Sequence, residues 1–293
     1  MTFPFGFLRL ARIIGLLALG LALQGCSAVK IAYNQSPALV YLYLDGYMDF
    51  SDVQSAQVKA ELARFQLWHR QTQLPAYIDL LQKVQQKLTQ DVTEKQACEV
   101  LAEVRQKALV MADFVEPAAL GVVPSLTPKQ LAIMERKFAK GNSKWRDDYL
   151  DGSAKDLFEK RQKSAVKRSE MLYGHINDKQ RLMIAQQIEK SQFKPTQSYT
   201  ERQRRQKDML QTFGKLMASP QDNEAARKDM NGLLARSITS PDMAYRSYLE
   251  QVTQEGCASF AELHNTTTPE QRKNAVEVLA GYEQDFKTLA SQR

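Results

Sequence analysis

Histidine and cysteine are the residues best suited to nucleophilic or metal chemistry, and each type occurs three times in this chain of 293 residues. The histidines, His69, His175 and His264, stand far apart, and no two of them have the spacing of a zinc-binding pair. The sequence has no Cys-x-x-Cys motif, no phosphate-binding glycine loop and no Gly-x-Ser-x-Gly motif. We therefore predict no metal site, no cofactor and no catalytic centre.

The thiol of Cys26 is the side chain whose neighbours indicate a defined covalent chemistry. Arg9 and Arg12 precede a short apolar run from Ile13 to Leu23, which is the pattern of a secretory signal peptide. The run is too short to span a bilayer as a mature helix. It ends in Leu23-Gln24-Gly25-Cys26, which resembles the bacterial lipobox, where the thiol is diacylated and the chain is cut just before the cysteine. We therefore expect lipid on this thiol.

This motif divides the chain into three predicted parts. Residues 1–25 are a signal peptide, residues 26–48 a lipid-anchored segment, and residues 49–293 a helical periplasmic domain. A further boundary near residues 115–125 is an open alternative. Serine, and not aspartate, follows the cysteine at Ser27, as in lipoproteins sorted to the outer membrane. We expect an anchor in the outer membrane, on its periplasmic face, with the membrane as a partner through the lipid.

Cys98 and Cys257 are the remaining cysteines, and disulfides persist in an oxidising periplasm. A bridge across so long a loop would contribute about 4–5 kcal/mol if it were unstrained. Both residues also lie in helical patterns, where two separately buried thiols are equally ordinary. The sequence leaves a disulfide and two free cysteines as even alternatives.

Apolar residues repeat with the helical period along almost the whole chain beyond its N-terminal segment. Ala97, Val100, Leu101, Val104 and Ala108, for example, follow the i, i+3, i+4, i+7 spacing of one helical face. Alternating patterns rich in valine, isoleucine and threonine, which indicate strands, are missing. We predict an all-α fold, a bundle of about nine or ten helices with short connections.

Proline and glycine mark the predicted breaks between these helices. Leu74-Pro75 separates two helices, and the segment from Pro117 to Pro124 is a predicted connector. Lys140-Gly141-Asn142 is a predicted stop or kink, and Gly174 a helix end. At Ser240-Pro241 we expect proline in the first helical position.

One short motif opens several of the predicted helices, a Ser, Thr or Asn followed by Gln three residues later. In a capping box the first side chain accepts a hydrogen bond from an N–H three residues on, and the glutamine reaches back to the N-cap N–H. The motif occurs at Ser51/Gln54, Thr93/Gln96, Thr127/Gln130, Asn177/Gln180, Thr200/Gln203 and Thr268/Gln271. The segment from Leu126 to Gln130 also resembles the LTxxQ motif of small helical periplasmic chaperones, although capping alone explains it.

Two basic runs are the other candidate site in a chain with a formal net charge of +7. The runs contain Lys160, Arg161 and Lys163, and Arg202, Arg204 and Arg205. Behind a signal peptide the available polyanions are lipopolysaccharide, phospholipid and acidic proteins, and nucleic acid is not expected as a partner. The runs form either an anion-binding face or a solvated surface in which acidic and amide side chains alternate with the basic ones.

A tyrosine-rich apolar segment from Ala38 to Tyr47 follows the expected anchor closely. Tyrosine side chains are enriched at membrane interfaces, where one end of the ring is apolar and the hydroxyl is hydrated. The segment therefore has two interpretations, an interfacial helix or the first helix of the bundle. Asp45, Asp49 and Asp52 accompany it, which favours packing into the bundle.

Five short segments together resemble a known family. They are Gly25-Cys26-Ser27, Tyr33-Asn34, Asp45-Gly46-Tyr47, Leu67-Trp68-His69-Arg70 and Leu74-Pro75-x-Tyr77. Their arrangement is similar to that of a family of proteobacterial lipoproteins described only as a domain of unknown function. The resemblance covers most of the chain beyond the signal peptide. It implies a helical lipoprotein and no assigned activity.

Three classes of function are compatible with the sequence. The expected one is a non-enzymatic envelope lipoprotein that binds proteins or chaperones clients, because catalytic motifs are missing. An adaptor that binds cell wall or lipopolysaccharide is the first alternative, supported by the basic runs. A wall-acting enzyme is the second, supported only by the segment from Trp145 to Tyr149, which combines aromatic rings with adjacent carboxylates.

We predict that Cys26→Ser abolishes acylation and releases the protein from the membrane fraction, because this thiol is the expected acceptor of the lipid. Metabolic labelling with an alkyne fatty acid, followed by membrane fractionation, measures both effects. A protein in which Cys98 and Cys257 are both replaced by serine is the control and should keep the label. Label that persists in the Cys26→Ser protein would contradict the prediction.

Overall fold

The computed structural model describes residues 28–218 and 223–292, and all regular structure in these residues is helical. The α-helices are, in chain order, α1 Ala28–Asn34, α2 Ser36–Met48, α3 Asp52–Trp68, α4 Leu74–Lys87, α5 Glu94–Val122, α6 Pro128–Tyr149, α7 Ala154–Tyr173, α8 Asp178–Lys190, α9 Pro195–Ala218, α10 Asn223–Ile238, α11 Met243–Asn265 and α12 Pro269–Ser291. The predicted all-α class is confirmed. The predicted signal peptide and Cys26 lie outside the described residues.

Short turns of other helix types join or extend some of these elements. A π-helical turn, His69–Gln73, joins α3 to α4 without a break, and a 3₁₀ turn, Val123–Ser125, follows α5. Leu74-Pro75 predicts a helix end near His69 and a new start near Pro75, and α3 does end at Trp68 and α4 begin at Leu74. The π turn keeps the chain helical between them. With α3 and α4 counted as one continuous helix, the described residues form eleven helices, slightly more than the nine or ten expected.

Of two other predicted breaks, the one at Lys140-Gly141-Asn142 is wrong because it lies inside a helix, and the connector predicted from Pro117 to Pro124 begins only after Val122. α5 continues through Pro117 to Val122, because a helix of 29 residues tolerates one missing backbone donor while its other hydrogen bonds persist. α6 continues through Gly141, whose missing Cβ leaves room for a neighbour. A Cβ placed there would lie 3.2 Å from Nη2 of Arg202, so this glycine serves close packing and not a kink.

The other two predictions concern the end of α7 and the start of α11. Gly174 ends α7 with a φ of 74°, a conformation that favours glycine, so the predicted end is confirmed. Pro241 does not occupy the first helical position of α11. Asp242 is the N-cap there and accepts from the backbone N–H groups of Ala244 and Tyr245. The helix therefore starts after Asp242, whose carboxylate caps it, and Pro241 lies one residue before the N-cap.

Five of the six predicted capping boxes are present with both reciprocal hydrogen bonds. They lie at Ser51, Thr93, Thr127, Asn177 and Thr268. The sixth prediction, at Thr200, is wrong because α9 begins earlier, at Pro195. The hydroxyl of Thr200 instead donates to the backbone oxygen of Thr196, as an interior residue does.

Four of the capping glutamines also join helices to one another in buried pairs. Gln180 and Gln271 each donate to the side-chain oxygen of the other at 2.9 Å, which links the starts of α8 and α12. Gln130 donates to the side-chain oxygen of Gln54 at 2.7 Å, which links the starts of α6 and α3. All four side chains are buried. Each pair therefore fixes two helix starts against each other where water is excluded.

The core consists of two clusters of buried apolar residues. One gathers Val123, Leu126, Met134, Phe213, Leu216, Met230 and Leu233. The other gathers Leu88, Val166, Tyr173, Ile176, Ile184, Leu263 and Ala275. Each cluster contains a residue directly before a capping box, Leu126 or Ile176, so the same short segments start helices and fill the core.

We predict that Gln180→Ala lowers the free energy of unfolding by about 2–4 kcal/mol, because it removes buried hydrogen bonds to the Gln271 side chain and to the backbone oxygen of Thr266, together with the cap to the Asn177 N–H. The matched control is Gln96→Ala, since Gln96 closes a capping box at Thr93 but is less buried and should cost only about 0.5–1.5 kcal/mol. Urea unfolding followed by circular dichroism measures both. Equal losses would mean that the cross-helix pair adds nothing to the cap.

Candidate functional site

A cavity of about 570 Å³ lies between α2, α3 and α5, and we call it the channel. Its walls are almost wholly apolar. They include Val40, Leu44 and Met48 from α2, Val58, Leu62 and Phe65 from α3, and Val115, Ala118, Ala119 and Val122 from α5. Volumes of roughly 300–1,000 Å³ and predominantly apolar walls are typical of ligand-binding pockets.

The channel arises because each of three helices contributes one stripe of residues at helical spacing. On α5 the lining positions are 115, 118, 119 and 122, the i, i+3, i+4, i+7 pattern. Two of these positions, Ala118 and Ala119, carry small side chains, which leave space where larger residues would fill a core. Empty apolar volume costs stability, because the lining atoms lose dispersion contacts. A space that is retained at this cost is a candidate binding site.

Polar side chains gather at one end of the channel. The hydroxyl of Tyr33 lies 3.1 Å from Nδ1 of His69, and Gln66 Nε2 donates to the backbone oxygen of Tyr33 at 2.7 Å. Arg70 Nη2 donates to Oδ1 of Asn34 at 2.8 Å, and its guanidinium lies over the Tyr33 ring. These contacts fasten α1 to the π turn and so close this end of the channel.

Burial favours the uncharged forms of Tyr33 and His69. It lowers the pKa of His69, and it raises the pKa of Tyr33 against the opposing effect of Arg70. A neutral imidazole whose Nδ1 is engaged by a phenol resembles a structural contact more than a general base awaiting a nucleophile. The chemistry available at this end is hydrogen bonding, which suits positioning or binding.

Several of the segments that carry the family resemblance meet at this end of the channel. Tyr33 and Asn34 contact His69 and Arg70, and the rings of His69 and Tyr77 lie 5.5 Å apart. These segments are recognisable in the sequence, but the channel beside them is not. The available signal was the pair of alanines in an otherwise bulky apolar stripe of α5.

Comparison with known families gives a match over residues 46–237 to a family of unknown function, DUF6279. The chain belongs to this family. The resemblance to an uncharacterised domain family is therefore confirmed. No curated protein and no solved structure matches the chain.

The DUF6279 region, residues 46–237, contains the α3 and α5 walls of the channel and both basic runs. Tyr33 precedes it. The hydrogen bond between the Tyr33 hydroxyl and His69, which we call the Tyr33–His69 lock, therefore joins the family region to the N-terminal segment. Cys257 follows it. The structure joins Cys98 and Cys257 in a disulfide, with Cα atoms 5.4 Å apart, which ties α5 of the family region to α11.

The basic run within α7 presents two lysines to solvent. Lys160 and Lys163 are exposed, and Lys160 Nζ donates to the backbone oxygen of Asp147 at 2.8 Å. Arg161 is half-buried, with its guanidinium 5.2 Å from the centre of the Phe193 ring. Both interpretations of this run, an anion-binding face and a solvated surface, stay open.

The basic run within α9 is largely engaged by the protein itself. Glu201 is buried and accepts from Nε of Arg204 and from Nε of Arg205, both at 2.8 Å, and from the Ser240 hydroxyl at 3.0 Å. Burial alone would raise the pKa of Glu201, but hydrogen bonds from the two arginines and Ser240 outweigh it and lower the pKa below its ordinary value. Arg202 donates elsewhere, to Oδ1 of Asn142 at 2.8 Å.

This ion-pair network extends to α10. Asp208 accepts from Arg204 at 3.3 Å and from Arg236 at 2.7 Å, and Arg204 also donates to the backbone oxygen of Arg236. The charge of Arg204 is therefore compensated inside the protein. The network as a whole holds α9 against α10, through Arg204 and Arg236, and against the turn that leads into α11, through Glu201 and Ser240.

The segment from Trp145 to Tyr149, the sequence signal for a wall-acting enzyme, contributes to helix packing. The Trp145 ring stacks on Tyr199 of α9 with ring centres 5.4 Å apart. His264, another residue suited to chemistry, is fully buried between the Tyr173 hydroxyl and the backbone oxygen of Gln90. Among the described residues there is no group of three or more His, Cys, Asp or Glu side chains that could hold a metal ion.

We predict that Glu201→Gln lowers the free energy of unfolding by about 1–3 kcal/mol at pH 7, because an NH2 donor replaces one of the two oxygens that accept from the arginines and the carboxylate charge is lost. The lowered pKa in the folded state means that the contribution of Glu201 is complete above the unfolded value near 4.5 and is lost as the pH falls through the folded value. The difference between wild type and variant should therefore shrink below about pH 4.5.

Urea unfolding at a series of pH values measures this difference. Glu250→Gln is the control, since Glu250 is an exposed glutamate on α11 and its replacement should change little at any pH. A Glu201→Gln deficit that stayed constant between pH 7 and pH 3 would show that the carboxylate charge is not what stabilises the network.

Proposed function

We propose that this protein is a non-enzymatic lipoprotein of the bacterial envelope, anchored in the outer membrane of a proteobacterium, and that it binds apolar groups of a partner in the channel. The observation that carries the proposal is an apolar cavity of about 570 Å³ whose polar groups are confined largely to one end. Such a site offers affinity through burial of apolar surface and offers no obvious machinery for bond cleavage.

The position of the channel supports the link to the membrane. Tyr33, which lines one end of the channel, lies seven residues after Cys26, the expected site of the lipid. A lipid on that cysteine would keep the channel close to the bilayer surface, because the connection is too short to let the domain move far away. The partner would then be met at or near the membrane.

Exposed apolar residues near the channel support a role in binding protein clients or other apolar partners. On α2, Leu39, Leu42 and Tyr43 are more than half exposed. The segment Glu94–Ser125, which contains α5, is long and apolar enough to cross a membrane by length and composition, a property that core helices of soluble proteins share. Contiguous apolar surface of this kind marks interaction sites on soluble proteins.

A second candidate, an adaptor for cell wall or lipopolysaccharide, has narrower support. It rests on the exposed lysines of α7, Lys160 and Lys163, since Arg204 and Arg205 are committed to Glu201. An anionic polymer would bind such a face in a salt-dependent way. Loss of envelope partners at high salt, and after reversal of these two charges, would favour this candidate over the apolar one.

We predict that the mature protein binds the neutral apolar dye N-phenylnaphthylamine and that Ala118→Phe weakens binding about tenfold or more, equivalent to about 1.4 kcal/mol or more, because the ring fills the channel. The control is Ala108→Phe on the same helix, where the side chain is exposed and outside the channel lining. Fluorescence titration measures binding, and circular dichroism verifies that both variants fold. Equal dye binding by wild type, Ala118→Phe and Ala108→Phe would contradict the proposal.

A further inference from the structure

We infer that the channel holds one extended acyl chain of a bilayer lipid, which enters sideways between α2 and α5. This inference rests on the proposed function and specifies its ligand. It follows from the length of the channel, the chemistry of its walls and the position of its opening.

The length of the channel matches one lipid chain. Its lining positions run along α3 from Val58 to His69, the first residue of the π turn, which is eleven residue steps and therefore about 16 Å of helix. The hydrocarbon core of a bilayer is about 30 Å thick, so the acyl chains of one leaflet span about half of that. One extended chain would thus occupy the channel from end to end.

The walls suit methylene groups better than a polypeptide. A bound peptide would bring backbone N–H and C=O groups, each of which needs a hydrogen-bonding partner when it is removed from water. Between Met48 and Val122 at one end and Phe65 near the other, the walls consist mainly of aliphatic and aromatic side chains. An acyl chain has no polar group along its length and leaves none unsatisfied.

The charge of the lining favours a neutral, esterified chain over a free fatty acid. Glu61 is the carboxylate on the wall, and it is paired with Arg64 at 2.5 Å. The free carboxylate of a fatty acid would be repelled by Glu61 and would find the Arg64 guanidinium already engaged. In a phospholipid the headgroup stays outside and only the uncharged chain enters.

The opening lies on an apolar side of the molecule. Val40 of α2 and Val115 of α5 both line the channel, yet their side chains are 41% and 45% exposed. Beside Val40, Leu39 and Tyr43 are 55% and 64% exposed. A chain that passes between α2 and α5 would therefore meet exposed apolar side chains of both helices on its way into the channel.

The two tryptophans of the chain allow a direct test with bromine-labelled lipid, because bromine quenches indole emission at short range. Trp68 stacks on Phe114 and lies next to Phe65, which lines the channel. Trp145 packs against Tyr199, away from the channel lining. Trp145→Phe and Trp68→Phe proteins each retain one reporter, so that one reports on the channel and the other serves as the matched control.

The experiment uses the full mature lipoprotein in phosphatidylcholine vesicles, with part of the lipid brominated near the middle of its acyl chains. We expect emission from Trp68 to be lost and emission from Trp145 to be unchanged. Adding Ala118→Phe should restore Trp68 emission, whereas adding Ala108→Phe should not. This pattern would place the chain inside the channel.

Four other results overturn the inference in distinguishable ways. Quenching of Trp68 that persists with Ala118→Phe would mean contact with bulk lipid and not with a bound chain. Dye binding without any quenching of Trp68 would exclude the acyl chain as the ligand but would leave the proposed binding of apolar groups intact. Absence of both dye binding and quenching would exclude both the acyl-chain ligand and the proposed function. Quenching that occurs only after Cys26→Ser would mean that the lipid anchor itself fills the channel, and it would overturn the bilayer as the source.

Discussion

The structure depends on the burial of glutamine side chains at helix starts. A buried amide is costly unless its donors and acceptor all have partners, and Gln180 and Gln271 meet this requirement by bonding to each other as well as to their own caps. Gln54 and Gln130 do the same for α3 and α6, with Ser125 as a further acceptor. Because an amide pair is satisfied in few geometries, these contacts specify which helices meet and at which turn.

Both hydrophobic clusters are built beside these pairs. Leu126 and Ile176 enter their clusters directly before Thr127 and Asn177 begin α6 and α8. The polar pair fixes the helix start, and the neighbouring apolar side chain fixes its depth in the core. A shift by one helical turn would expose the apolar residue and leave the amide unpaired, so the two requirements reinforce each other.

Along the channel this packing is incomplete. Elsewhere in the core, large side chains such as Met134, Leu216 and Met230 fill the space between helices. Along α5, Ala118 and Ala119 leave space beside α2 and α3, while the Tyr33–His69 lock keeps α1 in place at one end. A rigid frame on three sides and small residues within it make a site that can accept an apolar ligand without large rearrangement.

The sequence by itself determined the helical class and most helix starts, because periodicity and capping involve residues within four positions of one another. Thr127 with Gln130 and Asn177 with Gln180 are examples in which residue type alone decides the local hydrogen bonds. It misplaced the breaks at Pro117 and Gly141 because single-residue propensities are weak beside the packing of a long helix. Only the tertiary structure decided the glutamine pairs, the disulfide, the partners of the α9 arginines and the channel. Each of these features depends on residues that are far apart in the sequence or on different helices. The packing of the helices decides how closely such residues approach, and a local sequence pattern contains no information about that packing.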